Sequence, residues 1–210
     1  MQWRDCFFST SHGISMTMAL KNEEIVDDIK RLLDRPVVLI GMMGAGKTRL
    51  GRQIAGALGL SFSDSDDEIE KASGLSIPEI FDRFGESYFR DGERRVIARL
   101  LEQGVSVIAT GGGAVMNEDT AKEIWSRTRS VWVRAEMDVM LERVSRKDNR
   151  PLLQKGDPRQ ILTDFAAARY PVYEKADVVI DSHNGPSEAI LNQALDKIYK
   201  FLRHEQRKAG

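Results

Sequence analysis

The sequence has a single cysteine, almost no net charge and no long uninterrupted apolar run. Because Cys6 has no partner in the chain, a disulfide framework is excluded, and the composition fits a reducing compartment such as the cytoplasm. A net charge of -1 provides no whole-molecule attraction to nucleic acid or to an anionic membrane surface. No stretch approaches the roughly 18 apolar residues that suggest a membrane span. We therefore expect a cytoplasmic protein with neither nucleic acid nor a membrane as its partner.

The first 20 residues show neither an apolar core nor a basic leader. Arg4 and Asp5 lie side by side and no apolar stretch is unbroken, which argues against a secretory signal. We interpret residues 1–20 as a flexible arm, with Met16 and Met18 as alternative starts. The serine and threonine content keeps an organelle transit peptide as the other interpretation. The length of 210 residues predicts one α/β domain, here residues 21–205, followed by a tail at 206–210.

Apolar runs alternate with amphipathic segments along the rest of the chain, which is typical of parallel βαβ units. The runs predict strands at Val37–Ile40, Leu60–Asp64, Val105–Thr110, Ser130–Arg134 and Val178–Ile180. The amphipathic segments predict helices at Asn22–Asp34, Lys47–Leu58, Ser76–Gly85, Ser87–Gln103, Asp138–Arg146, Gln160–Lys175 and Ser187–Arg203, with a further helix capped by Asn117. Pro171 should kink or divide the helix that contains it. The polar segment 147–157 is predicted to be a loop.

The segment Gly41–Thr48, with the sequence GMMGAGKT, fits the pattern G-x-x-x-x-G-K-[ST] completely. It follows an apolar strand and precedes a helix, so glycine-rich backbone and a helix N-terminus can present N–H groups to phosphate oxygens. Lys47 can reach the β- and γ-phosphates, and Thr48 can ligate Mg²⁺. This pattern predicts a nucleotide-binding P-loop NTPase fold, but it does not identify the phosphoryl acceptor, because many kinds of NTPase share it.

Two carboxylates, Asp64 and Asp66, follow the second predicted strand, at the sheet edge that also carries the phosphate loop. One could hold Mg²⁺ and the other could bind an acceptor hydroxyl and take its proton. The alternative is an acidic helix start, in which the side chains only complement the helix dipole.

The third predicted strand ends in Gly111, Gly112 and Gly113, where many P-loop proteins have a magnesium-binding aspartate. Bare backbone allows a ligand to approach closely, although a loose turn would have the same sequence. Four arginines could donate paired hydrogen bonds to an anion, although a solvated surface position is the commoner explanation for any one arginine. They are Arg90, Arg143, Arg150 and Arg169.

Taken in order, the segments GMMGAGKT, DSD, FRDGE, GGGAV, RPLL and RYPVY resemble the shikimate kinase family over residues 36–182. The resemblance implies a nucleoside monophosphate kinase-like architecture, with a parallel sheet of about five strands and helices on both faces. It implies transfer of the γ-phosphoryl group of ATP to shikimate, a step in aromatic amino-acid biosynthesis. Mg²⁺ would be the cofactor, ATP and shikimate the small-molecule partners, and the protein a monomer. Residues 64–103 would form substrate-binding helices, and residues 147–157 would form a lid.

The same resemblance assigns roles to individual residues. Asp66 would bind the shikimate ring hydroxyls and act as the base, Arg90 and Arg169 would hold the carboxylate, and Glu93 would orient Arg90. The substrate site is expected to include Asp66, Arg90, Gly111, Gly112, Gly113 and Arg169. The ATP site is expected to include Gly44, Ala45, Gly46, Lys47, Thr48, Arg49, Arg143 and Arg150. Arg143 would stack on adenine, Arg150 would contact the phosphates from the lid, and Thr48 with Asp64 would hold the metal. Lys47, Asp66 and Arg150 would form the catalytic set.

There are two rival interpretations, a kinase with the same fold and a protein of a different class. Another small-metabolite kinase, such as a gluconate kinase, would need fewer side chains that bind a ring and a carboxylate of the acceptor. A nucleotide-binding regulator would hydrolyse little ATP and act through protein partners. The combination of Asp66, Arg90 and Arg169 favours the shikimate kinase over both.

Overall fold

Five short runs form the strands of one sheet in the computed structural model, which describes residues 23–145 and 156–210. The strands are β1 Val37–Ile40, β2 Phe62–Asp64, β3 Val107–Ala109, β4 Arg129–Ala135 and β5 Val178–Ser182. Every neighbouring pair is parallel, in the order β2-β3-β1-β4-β5. All four residues of the central strand β1 are buried, as a strand covered on both faces requires.

Helices flank this sheet, and the predicted fold class is confirmed. The first helix, α1, covers residues 23–32. The others are α2 Lys47–Leu58, α3 Ser65–Ser73, α4 Ile77–Leu101, α5 Glu118–Arg127, α6 Met137–Ser145, α7 Pro158–Tyr173 and α8 Ser187–Ala209. A short 3₁₀ helix spans Ala114–Met116. Helix α2 packs against β3 and α8, whereas α4 packs against α3 and α5.

Side-chain caps begin several of these helices, as the sequence indicates. Ser76 and Glu79 form a complete capping box before α4, and Asn117 accepts the Thr120 N–H before α5. Such caps satisfy backbone donors that have no partner inside the helix, and each stabilises by about 1 kcal/mol. The predicted break near Gly85 is also present, because Gly85 has φ 81° and ψ 175° within α4.

Several predicted boundaries are displaced, and local hydrogen bonds explain two of the shifts. Strand β2 begins at Phe62 rather than Leu60, because the Leu60 N–H is donated to Ala55 O at the end of α2. Helix α8 extends to Ala209, beyond the predicted Arg203, since the added residues are mostly good helix formers and include the pair Lys208–Glu205.

Pro171 does not divide α7. The proline lies within the last turn of the helix, which continues to Tyr173. There the loss of one backbone N–H interrupts little of the hydrogen-bond ladder.

The carboxyl ends of the strands meet at one edge of the sheet, and the predicted functional segments follow them. The phosphate loop follows β1, Asp64 ends β2, Gly111–Gly113 follow β3, α6 follows β4, and residues 183–186 follow β5. Ligands of open parallel sheets bind at this edge. The fold therefore places all of these segments where one site can form.

Part of the predicted organisation lies outside the described residues. This applies to the arm at residues 1–20, to Arg150 and to residues 147–155 of the predicted lid. Among the helices that the structure describes, none is both long enough and apolar enough to cross a membrane.

Candidate active site

The phosphate loop turns through glycine conformations that other residues rarely adopt. Gly44 has φ 78° and Gly46 has φ 100°, and Gly46 is the N-cap of α2. Both values lie in the left-handed region, which glycine enters without a steric penalty from Cβ. The loop therefore leads directly into a helix N-terminus, where backbone N–H groups and the helix dipole favour phosphate.

Two cations lie against this loop. Lys47 is buried, and its Nζ donates to Gly41 O at 2.8 Å and to Met42 O at 3.0 Å. Arg143 Nη1 donates to Gly44 O at 3.2 Å and to Ala45 O at 3.1 Å. Two positive charges therefore lie against the loop, where they favour the binding of a polyphosphate.

Arg143 also links the phosphate loop to the segment after β5. Its Nη1 donates to Ser182 Oγ at 3.0 Å and its Nη2 to His183 O at 2.9 Å. Partial burial and the neighbouring Arg49 lower the pKa of the Arg143 guanidinium, which nevertheless stays charged at physiological pH. Arg143 therefore lies where the nucleotide cleft is bounded by β5, and the predicted adenine contact stays a prediction.

The Thr48 hydroxyl and the Asp64 carboxylate form a direct pair at the ends of α2 and β2. Thr48 Oγ1 donates to Asp64 Oδ2 at 2.7 Å, and Asp64 Oδ1 accepts the Asp66 N–H at 3.1 Å as the N-cap of α3. The structure brings together the two oxygen groups that the sequence predicts for Mg²⁺. Asp64 also caps α3, and Asp66 lies in the first turn of that helix, as the helix-start alternative predicts. The metal contact of Asp64 stays a prediction.

Asp66 lies at the first glycine after β3. A Cβ placed on Gly111 would lie 2.9 Å from Asp66 Oδ1 and 2.5 Å from Glu93 Oε1. The Gly111 N–H is donated to Ser65 Oγ at 3.1 Å, which joins this turn to the start of α3. Only glycine leaves room for two carboxylates so close to the backbone.

Arg90 lies at the third glycine and is oriented by acidic neighbours on α4. Its Nη1 is 2.7 Å from Glu93 Oε2, and its Nη2 is 3.1 Å from Glu86 Oε1. A Cβ on Gly113 would approach Arg90 Nη2 within 2.6 Å. The predicted pairing of Arg90 with Glu93 is present as a hydrogen-bonded ion pair.

Glu93 is 2% exposed, and its Oε1 has no hydrogen-bond partner among the described atoms. Burial raises the pKa of this carboxyl, although Arg90 opposes the effect. The deprotonated form therefore depends on the ion pair with Arg90.

Arg169 lies at the middle glycine. Its Nη1 donates to Gly112 O at 3.1 Å, and its guanidinium carbon lies 4.1 Å from the centre of the Phe165 ring. The Tyr173 hydroxyl also donates to Gly112 O. Arg169 is 7% exposed, so its charge is held in a site largely shielded from water.

A cleft of about 430 Å³ joins the phosphate loop to this glycine turn. Its lining residues come from the ends of all the strands except β4, or the turns that follow them, and from α2, α3, α6 and α8. They include Lys47, Thr48, Arg49, Asp64, Asp66, Gly112 and Arg143. The cleft is large enough for a nucleotide or a small metabolite.

The predicted site residues are therefore assembled at one sheet edge, apart from Arg150, which lies outside the described residues. Sequence reasoning missed Ser65, Phe165 and Tyr173. The four-residue spacing of Arg169 and Tyr173 on a helix was the available signal for Tyr173, because residues so spaced share a helix face.

Known proteins are similar to this chain in sequence. A profile described as shikimate kinase matches residues 43–199. A shikimate kinase from Rhodopseudomonas palustris is 46% identical over 192 residues, which cover 91% of this chain and 95% of the relative. A shikimate kinase from Caulobacter vibrioides is 49% identical over 171 residues, which cover 80% of this chain and 86% of the relative.

A solved structure has the same fold. It is the shikimate kinase from Acinetobacter baumannii in complex with shikimate, with a TM-score of 0.76 and 38% identity. The match covers 79% of this chain and 93% of that one. With a family match over most of its length and relatives above 40% identity, the chain belongs to the shikimate kinase family.

Proposed function

We propose that the protein transfers the γ-phosphoryl group of ATP to the 3-hydroxyl of shikimate. The observation that carries the proposal is the arrangement around Gly111–Gly113 beside the phosphate loop. Two guanidinium groups, Arg90 and Arg169, meet there with the Asp66 carboxylate and with Glu93, which pairs with Arg90. Shikimate carries ring hydroxyls and one carboxylate, so the charges of the site complement those of this acceptor.

On the donor side, the phosphate loop N–H groups, Lys47 and the N-terminus of α2 would bind the β- and γ-phosphates. Arg49 lines the same cleft, and Arg143 borders it at the end of β5, where it would contact adenine. Lys47 would exchange its contacts with the loop carbonyls for phosphate oxygens. Arg150 would complete the set from the lid.

On the acceptor side, Arg90 and Arg169 would hold the shikimate carboxylate. Arginine suits this task because its planar fork can donate two parallel hydrogen bonds to a carboxylate. The pair with Glu93 fixes the Arg90 side chain, and the contact with Gly112 O fixes Arg169. Both cations are thus oriented before the substrate binds, which lowers the entropic cost of binding.

Asp66 would accept a hydrogen bond from the reacting hydroxyl. In the transfer, the hydroxyl oxygen forms a bond to the γ-phosphorus while the bond to the β–γ bridging oxygen breaks, and its electron pair leaves with ADP. Asp66 takes the hydroxyl proton. Because the transition state is loose, placement of the hydroxyl in line contributes more than the basicity of the carboxylate.

Mg²⁺ fits the pair formed by Thr48 and Asp64, since hydroxyl and carboxylate oxygens are the ligands that this hard cation prefers. Within residues 23–145 and 156–210 there is no group of three or more His, Cys, Asp or Glu side chains that could hold a metal. The protein would therefore supply few ligands, and phosphate oxygens and water would supply the rest. When bound, the ion neutralises phosphate charge.

An acceptor comparison tests the proposed function and separates it from the rival kinases. ADP release would be measured with ATP, Mg²⁺ and one acceptor at a time: shikimate, gluconate or a nucleoside monophosphate. We expect turnover with shikimate at least a hundred times faster than with the other acceptors. Equal or faster turnover with gluconate would exclude the proposal. Monomeric state and a cytoplasmic location remain predictions.

A further inference from the structure

Two neighbouring side chains of α7 donate to the same carbonyl oxygen. Arg169 and Tyr173 are four residues apart, so they lie on one face of the helix. Arg169 Nη1 and the Tyr173 hydroxyl both donate to Gly112 O. A carbonyl oxygen has two lone pairs, and these two donors are enough to use both.

Gly112 also lies against the phosphate loop. A Cβ placed on it would lie 3.3 Å from Gly41 O and 3.4 Å from Met43 N. This backbone unit therefore contacts both Arg169 and the phosphate loop.

The Tyr173 ring is buried in a cluster of aromatic side chains, which fixes the position of its hydroxyl. It is 1% exposed and lies 5.8 Å from the Trp132 ring on β4 and 6.3 Å from the Tyr170 ring, between centroids. Burial raises the pKa of Tyr173 to about 12, an effect that Arg169 opposes through its charge and through a hydrogen bond that it donates to the phenol oxygen. The phenol is therefore protonated, and so able to donate, throughout the physiological pH range.

We propose that Tyr173 is a positioning residue for the acceptor site: its hydroxyl holds the Gly112 carbonyl in place, and the carbonyl in turn orients Arg169 toward the substrate carboxylate. This inference rests on the proposed function and adds to it a residue that does not itself touch the substrate. Without the hydroxyl, Arg169 would be the remaining donor of the pair, and the carbonyl could move with it.

The consequence is a specific kinetic defect. Tyr173→Phe keeps the buried ring and removes only the hydroxyl. The KM and Kd for shikimate should rise about three- to tenfold, which is the effect expected for one uncharged hydrogen bond. The KM for ATP and kcat at saturating shikimate should stay within twofold, because the phosphate loop and Asp66 keep their contacts.

The matched control is Tyr170→Phe. Tyr170 belongs to the same helix and the same aromatic cluster, with its ring 5.1 Å from that of Trp132. Tyr170→Phe also removes a hydroxyl, but Gly112 O keeps both of its donors, Arg169 and Tyr173. Thermal unfolding of both variants would show whether the folded state is equally stable.

A second pair of variants separates loss of the hydrogen bond from loss of the folded structure. Tyr173→4-aminophenylalanine keeps a donor at the ring position, whereas Tyr173→4-fluorophenylalanine fills the same space without one. The amino variant should restore shikimate affinity, and the fluoro variant should not. Backbone hydrogen exchange over residues 107–116, measured without substrate, should be faster in the fluoro variant and in Tyr173→Phe.

The outcomes separate this inference from the proposed function. A rise in shikimate KM and Kd with unchanged kcat, absent in Tyr170→Phe, supports the positioning role. Equal effects of Tyr173→Phe and Tyr170→Phe on shikimate KM and Kd would overturn it, and so would a fall in kcat with unchanged shikimate affinity. In either case, shikimate turnover by the parent protein would still support the proposed function. If the parent protein failed to phosphorylate shikimate, the proposed function would be wrong. Independently of that result, the inference would be wrong if backbone hydrogen exchange over residues 107–116 were the same in Tyr173→Phe as in the parent protein.

Discussion

Truncation of Arg169 is the most informative perturbation of the acceptor site. Arg169→Ala removes a guanidinium that is 7% exposed, donates to Gly112 O at 3.1 Å and lies over the Phe165 ring. Because the site is largely shielded from water, loss of one partner of a charged hydrogen-bonded pair costs about 2–5 kcal/mol. A central value of about 3 kcal/mol corresponds to about a 150-fold weaker affinity for shikimate.

The assay is a shikimate titration of ADP release, combined with calorimetric titration of shikimate without ATP. The matched control is Arg159→Ala on the same helix, because Arg159 is 59% exposed and pairs with the exposed Asp138. Exposed pairs of this kind contribute little, so the control should keep the parental affinity. The assignment of Arg169 to the carboxylate would be refuted if Arg169→Ala bound shikimate within threefold of the parent protein while remaining folded.

Three further predictions concern the phosphate loop and the glycine turn. Lys47→Ala should lower kcat at least a thousandfold in the ADP-release assay, because the loop loses its buried cation. Gly111→Ala should raise the shikimate KM at least tenfold, since the new Cβ would lie 2.5 Å from Glu93 Oε1 and 2.9 Å from Asp66 Oδ1. Burial raises the pKa of Glu93, so its contribution to stability is greatest below about pH 4.3 and is lost as the pH rises through the folded-state pKa. Glu93→Gln should therefore remove this loss of stability, so that the free energy of unfolding of the variant gains on that of the parent protein as the pH rises above about 4.3, measured by urea denaturation.

Each of these has a contradicting outcome. Lys47→Ala with near-parental kcat would remove the phosphate loop from the mechanism. Gly111→Ala with parental shikimate KM would mean that the acceptor does not approach this turn. An equally steep pH dependence in Glu93→Gln and the parent protein would show that Glu93 titrates at its ordinary pKa.

The sequence was sufficient for the phosphate loop, because every requirement of that element is local. The glycines, Lys47 and Thr48 are contiguous, and an apolar strand and a helix flank them. The α/β class followed from the alternation of apolar runs with amphipathic segments, and the five-stranded parallel sheet confirms it. The resemblance to the shikimate kinase family is likewise confirmed by the profile match and the relatives.

The convergence of the acceptor site could not be derived from spacing. Arg90 on α4 and Arg169 on α7 are far apart in the chain, and only the order of the parallel strands brings both to the turn after β3. The resemblance supplied that grouping. Strand ends were less predictable for a different reason: Leu60 is apolar like a strand residue, but its N–H completes the end of α2.

Tyr173 shows what a residue pattern alone leaves out. The four-residue spacing places Tyr173 on the same helix face as Arg169, but it does not show that the Tyr173 hydroxyl reaches Gly112 O. That contact depends on the packing of α7 against the turn after β3, which the sequence does not encode locally.

A crystal structure of the protein with shikimate bound tests the central claim most directly. We predict that the carboxylate lies within hydrogen-bond distance of both Arg90 and Arg169, and that a ring hydroxyl lies within hydrogen-bond distance of Asp66 and faces Lys47. A bound shikimate whose carboxylate contacts neither arginine, or whose hydroxyls point away from the phosphate loop, would contradict the account.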